Sequence, residues 1–201
     1  MSIQLTMSST LKSLLVSILI IAGFTACGPD ALYDLSGDTY QLRNADSTQV
    51  NFPGDFKGDL SLITFIYTNC PDVCPAITAN MTNIQRELDD TSGVNFIEIS
   101  FDPQRDTPSV LKEYRNLYGL NEQFTMLTGD TTIVHPLLDK LDIVAVKTTI
   151  DSLGYDSTNY AMRHSNTLYL MDRQGYIRAE YPAHRVTAEH VKDDINYLRS
   201  E

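Results

Sequence analysis

Apolar and polar positions fall into blocks whose spacing changes along the chain. The sharpest block is Leu60–Tyr67, LSLITFIY, a run of apolar and β-forming residues short enough for one buried strand. In the AITANMTNIQRELDD that follows, Ile77, Met81, Ile84 and Leu88 recur at steps of four, three and four, which marks one face of a helix. Val94–Phe101, VNFIEISF, predicts a second strand. In DTPSVLKEYRNLYG, Thr107 is placed to cap a helix and Pro108 to open it, with Val110, Leu111, Tyr114, Leu117 and Tyr118 as its apolar stripe. Phe124–Gly129, FTMLTG, predicts a shorter strand, and TTIVHPLLDKLDI a helix starting near Pro136. Residues 147–163 are polar and turn-prone around Gly154 and read as a loop. NTLYLMD, RQG and YIRAEYP predict a hairpin turning on its glycine. TAEHVKDDINYLRS closes the chain as a helix with Val191, Ile195 and Leu198 inward.

Ahead of these elements, Ser36–Gly37 and Pro53–Gly54 are turn signals. Gly28–Ser36 reads as a tether and Tyr40–Phe52 as a leading hairpin. Strands that alternate with helices imply parallel pairing with helices on both faces, and the late hairpin makes the sheet mixed. That order, with cysteines where an early strand meets its helix, is the α/β thioredoxin-like arrangement with an N-terminal hairpin extension.

The first residues belong to no such element. Residues 13–26, SLLVSILIIAGFTA, carry no charge, and Lys12 is the only charged residue before Cys27. A basic residue, a short apolar core and small residues at the end form the pattern of a secretory leader. The run is shorter than the ~20 residues of a membrane span. FTAC followed by GPD resembles a bacterial lipoprotein cleavage box, which implies that Cys27 becomes a lipid-bearing N-terminus. The expected division is a leader over 1–26, a lipidated N-terminus and tether over 27–39, and a folded domain over 40–201. The expected location is a bacterial membrane, on its periplasmic side.

Charge narrows the partners. The 201 residues carry a formal net charge of −11, and loss of a leader holding one lysine makes the remainder more acidic. Such a surface repels nucleic acid and anionic headgroups, so no nucleic-acid partner is expected and membrane attachment rests on the lipid.

Three cysteines are an odd number for an exported protein. With Cys27 lipidated, Cys70 and Cys74 are left to each other, in FIYTNCPDVCPA. A thiol at a helix N-terminus meets free N–H groups and the positive end of the helix dipole, which favour thiolate. Pro75 fits a first helical turn, placing Cys74 at the helix entrance and Cys70 in the turn before it. The four-residue separation allows a bridge between the sulfurs or a common ion. Structural zinc is disfavoured because the chain has no second cysteine pair. Soft thiolates suit Cu(I), for which two sulfurs and one imidazole suffice. Of the four histidines, His135, His184 and His190 read as capping or surface residues. His164 stands just before SNTLYLM, at the entrance of a strand that runs beside the cysteine turn. Met126 and Met162 read as packing residues.

FIYTNCPDVCP, SFDPQRDTP and RHSNTLYLMDRQG, in this order and spacing, resemble the Sco (SCO/SenC) family over about Phe52–Leu198. These are membrane-anchored, thioredoxin-like copper proteins that assist assembly of the CuA centre of cytochrome c oxidase. The resemblance implies Cys70, Cys74 and His164 as copper ligands, Cu(I) as cargo with Cu(II) as a second form, and a redox-active cysteine pair. It also implies a copper donor protein and, as acceptor, the CuA subunit or another copper protein. One residue departs from the family pattern: Arg163 stands where an acidic residue often precedes the histidine. Asp102, Arg105 and Asp106 read first as supports of their turn, and by the resemblance as part of a docking surface.

Two functions stay open. One is a copper metallochaperone. The other is a thiol–disulfide oxidoreductase that keeps the acceptor's copper-ligand cysteines reduced. General disulfide exchangers of this fold use two intervening residues and a cis-proline before the facing strand; here three intervene and YAMRHSNTLY has no proline. A thiol peroxidase would need a threonine three positions before the reactive cysteine, where this chain has Tyr67.

Overall fold

All seven residues of Leu60–Ile66 are buried, as expected of a strand covered on both faces. This is β4 in a computed structural model that describes residues 31–149 and 160–201. The preceding strands are β1 (Tyr33–Asp34), β2 (Tyr40–Asn44) and β3 (Gln49–Phe52). After β4 come α1 (Val73–Glu87), β5 (Val94–Ser100), α2 (Pro108–Leu117), β6 (Phe124–Thr128) and α3 (Thr131–Lys140). The chain then forms β7 (Ala145–Thr149), β8 (Tyr160–His164), β9 (Thr167–Met171), β10 (Tyr176–Pro182) and α4 (Ala188–Ser200). Eight strands form one sheet in the order β1-β10-β9-β4-β5-β6-β2-β3, and β7 and β8 form a sheet of their own.

The centre of the large sheet is parallel, β4 to β5 to β6, and antiparallel strands flank it on both sides. Register assigns the helices to faces. Thr64 pairs with Glu98 and with Leu168, while Ile63 pairs with Tyr169. Glu98 and Tyr169 therefore point to opposite faces, because successive strand residues alternate. Thr78 of α1 reaches the Glu98 carboxyl, and the Tyr169 hydroxyl donates to the Leu141 carbonyl at the end of α3. Helices thus cover both faces, and the fold is the thioredoxin-like α/β arrangement. The α1 stripe is buried as spaced: Ile77, Met81 and Ile84 are inaccessible and Leu88 nearly so. Val191, Ile195 and Leu198 of α4 are likewise inside, and Thr187 caps that helix by accepting from His190 N. Thr107 caps α2 by accepting from Val110 N. The leading hairpin is β2–β3, and Gly175, at φ +100°, turns the β9–β10 hairpin.

Four local expectations are corrected. The α3 helix begins at Thr131, not near Pro136, because the Asp130 carboxylate accepts from Thr132 N and supplies the stronger start signal. Leu117 is 78% exposed: Leu111 and Tyr114 are the buried part of the α2 stripe, Tyr118 packs beside them, and the last helical position falls off it. The ends of the 147–163 stretch are strands, with Tyr160, Met162 and His164 on the inward face of β8 and Arg163 exposed; residues 150–159 lie outside the described residues. The folded body also reaches upstream of Tyr40. β1 pairs with β10 and Leu35 is fully buried, so part of the expected tether belongs to the sheet. The leader and Cys27 lie outside the described residues. Among the described residues, no helix is long and apolar enough to cross a membrane.

Candidate metal centre

The parallel strands β4 and β5 end on the same edge of the sheet. Antiparallel β9 starts there, since Leu168 at its entry lies opposite Thr64 near the end of β4. The chain leaving β4 and the chain entering β9 are thereby brought together, and each carries part of one site.

From β4, Tyr67 leads into a tight turn in which Cys70 N donates to the Tyr67 carbonyl. The α1 helix then begins with Asp72 at its N-cap, whose side chain makes no capping hydrogen bond. Its place is taken by sulfur: Cys74 N donates to Cys70 Sγ at 3.4 Å. From β8, His164 reaches over with Nε2 3.8 Å from Cys74 Sγ. The ligand atoms of Cys70, Cys74 and His164 all lie within 4.8 Å of one another. His164 Nδ1 lies 2.8 Å from the Ser165 carbonyl. With the proton on Nδ1, that bond leaves the Nε2 lone pair directed at the sulfurs.

Electrostatics divides the two thiols. The Cys74 thiol donates to Cys70 and is the largest factor lowering Cys70, to about 3, against the opposing effect of burial; His164 and the backbone N–H groups add to it. Cys74 is pushed upward, first by giving its proton to that contact and then by burial. Burial draws the His164 imidazole down, but the Cys70 sulfur and the Ser165 carbonyl outweigh it and leave the pKa raised. Cys70 is 8% exposed and Cys74 inaccessible. The site therefore favours thiolate at Cys70 and thiol at Cys74, with both cysteines buried and the imidazole half-buried.

The turn after β5 braces this arrangement. Asp106 is fully buried and accepts from Thr68 N at 3.1 Å, Thr68 Oγ1 at 2.5 Å and Ser100 Oγ at 2.6 Å. It ties the start of the cysteine turn to the end of β5. Arg105 pairs with Asp102 and donates from Nη1 to the Tyr160 carbonyl at 2.9 Å. The structural expectation for Asp102, Arg105 and Asp106 thus has a geometric basis. Of the other histidines, His135 and His190 are exposed and His184 half-buried. Met126 is buried in β6 and Met162 packs against the core.

Sequence reasoning passed over two aromatic residues around the imidazole and a third on its strand. Phe101 lies 4.7 Å from the His164 ring centroid at 41°, and Tyr67 5.6 Å away at 81°. Tyr160 lies further along β8, with its ring 3.6 Å from the Arg105 guanidinium. Tyr67 was visible as an aromatic three positions before Cys70, whereas Tyr160 was hidden in the polar stretch read as a loop. Glu98 was also legible, as the one charged residue in VNFIEISF.

Comparison with known proteins gives the family. A family model described as SCO1/SenC matches residues 28–199. The SCO2-like protein of Rickettsia typhi is 34% identical over 171 residues, 82% of this chain and 77% of its own. Among solved structures, Bradyrhizobium japonicum ScoI with copper bound aligns at a TM-score of 0.64 and 30% identity, over 80% of this chain and 97% of that one. A SCO1/SenC family lipoprotein from Bacillus anthracis aligns at 0.69 and 26% identity, over 85% of this chain and 98% of that one. With the matched region spanning the cysteine turn and the histidine strand, the chain belongs to the SCO1/SenC family.

Proposed function

We propose that the protein is a copper metallochaperone that holds copper on Cys70, Cys74 and His164 and delivers it for assembly of the CuA site of cytochrome c oxidase. The observation that carries this reading is the convergence of two sulfurs and one imidazole nitrogen within 4.8 Å. Two sulfurs and one nitrogen, with Nε2 left free by the Ser165 contact, suit a soft ion that accepts low coordination. Copper is the cargo here, so the protein's task is to exclude water, hold the ligands and release the ion to a better-matched acceptor. Cys70 favours the thiolate form and is the more accessible of the two sulfurs, so it is the sulfur at which an incoming thiolate would exchange. Transfer would then proceed by ligand exchange at that sulfur.

The proposed setting is the periplasmic face of a bacterial membrane, with Cys27 carrying the lipid. The leader pattern supports this, as does the description of a family member as a lipoprotein.

Mixing the Cu(I)-loaded protein with a copper-free CuA domain tests the delivery role. Copper should leave this protein and appear on the acceptor, and His164→Ala should change the transferred fraction. Retention of copper beside an acceptor with a stronger site would refute delivery. Offering the copper-free, reduced protein to an acceptor whose cysteines are oxidised tests the reductase alternative, with loss of the acceptor disulfide as the readout.

A further inference from the structure

His164 lies on a two-stranded ribbon, β7–β8, that forms its own sheet and shares no ladder with the strands delivering the cysteines. The eight-stranded register therefore does not by itself fix the distance between imidazole and sulfurs. The short link from His164 into β9 brings the imidazole to the cysteine edge, and side-chain contacts of the ribbon then refine its placement. The period-2 alternation of β8 places Tyr160, Met162 and His164 on the same inward face. Two of these positions are held by tyrosine hydroxyls. Tyr67, on the cysteine side, accepts from Met162 N at 3.4 Å and sets its ring edge against His164. Its carbonyl also accepts from Cys70 N, so one residue touches both halves of the site. Tyr160, on the ribbon, donates to Asp102 Oδ1 at 2.6 Å, and Arg105 donates to its carbonyl. Its ring meets two cations, with the Arg105 guanidinium carbon at 3.6 Å and Lys147 Nζ at 4.3 Å from the centroid.

We propose that Tyr67 and Tyr160 are positioning residues for the third ligand, a clamp in which Tyr67 ties the histidine ribbon to the cysteine turn and Tyr160 ties it to the turn after β5. The inference rests on the copper reading. Neither tyrosine is a ligand in it; Tyr160 acts through the placement of His164, and Tyr67 does so too while its hydroxyl also lies against the Cys70 sulfur. Without the clamp, the cysteine pair keeps its own geometry, because Cys74 N and Cys70 Sγ belong to one turn. What is lost is the imidazole, so a three-ligand site relaxes toward a two-sulfur site.

The test is a cycle of variants on the reduced full chain, with Cu(I) affinity measured by competition. Tyr67→Phe and Tyr160→Phe keep the rings and remove one hydroxyl each. Each should weaken Cu(I) binding about 5-fold, the scale of one net hydrogen bond. In the His164→Ala background Tyr160→Phe should have no further effect, because the ligand it positions is gone, and Tyr67→Phe should lose most of its effect, keeping only the part from its Cys70 contact. A purely structural role would weaken both backgrounds alike, and that result would overturn the proposal. So would wild-type affinity in both tyrosine variants. If one variant does not fold, the other carries the test. A second readout uses the copper-free protein: the Met162 amide should exchange faster in Tyr67→Phe than in wild type, and equal exchange would contradict the clamp. If wild type and His164→Ala bind copper equally, both the ligand assignment and the clamp fail. If they differ while the tyrosine variants match wild type, the clamp alone fails.

Discussion

Glu98 is completely buried in β5, between Thr64 and Met126 on the neighbouring strands. Nothing donates to its oxygens in good hydrogen-bond geometry among the described residues. Desolvation raises its pKa from 4.5 to about 7, and the Thr78 hydroxyl offsets this only in part. The sign for stability follows directly. A carboxyl that is harder to ionise in the fold leaves stability intact below about 4.5 and removes it as pH rises through about 7. The loss is on the order of 3 kcal/mol for a shift of this size. Denaturant melts of the copper-free protein between pH 4 and pH 8 should show that decline, and Glu98→Gln should flatten it. A wild-type curve with no slope in this window would count against an ionisable Glu98. Cys70 shifts the other way. With its pKa held near 3, it should alkylate at pH 5, where an ordinary thiol near 8.5 is protonated, while inaccessible Cys74 stays unmodified. Intact mass and peptide mapping check this, and a rate that climbs tenfold per pH unit up to pH 8 would contradict it.

At the scale of elements, the decisive junction is the end of β4. Its apolar run, the helix phase after it and the proline beside Cys74 were enough to place Cys74 at a helix entrance, and the antiparallel entry of β9 brings His164 to the same edge. These features were legible because each is local, or follows from the chain reversing beside a buried strand. The β7–β8 ribbon was not legible. Its inward face is built from Tyr160, Met162 and His164 alternating with Ala161 and Arg163, a half-buried pattern too short and polar to stand out from its surroundings. The α3 start was missed for a related reason, since Pro136 is a louder signal than the Asp130 cap. The turn at Asp106 offers a test at this scale. Asp106→Ala would leave Thr68 N, Thr68 Oγ1 and Ser100 Oγ without their buried acceptor, which should cost about 3 kcal/mol. Thermal melts measure that loss. A variant as stable as wild type would mean that the cysteine turn stands without its brace.

For the whole molecule, the acidic sequence and the site location have different consequences. A net charge of −11 says nothing of copper, but it removes electrostatic attraction to an anionic membrane, so attachment should depend on Cys27 alone. Cys27→Ser should move the protein from the membrane fraction to the soluble fraction, and the wild-type N-terminus should carry the added mass of a lipid. Unlipidated wild type that still sediments with membranes would contradict this.

The most direct measurement is a Cu(I) competition titration of the reduced protein beside His164→Ala. Wild type should bind one copper, and loss of the imidazole should weaken binding measurably, because one of three donors within 4.8 Å is removed. An oxidised sample, with its sulfurs bridged, should bind none. Equal affinity in wild type and His164→Ala would remove the histidine from the site, and no binding by the reduced wild type would contradict the copper reading itself.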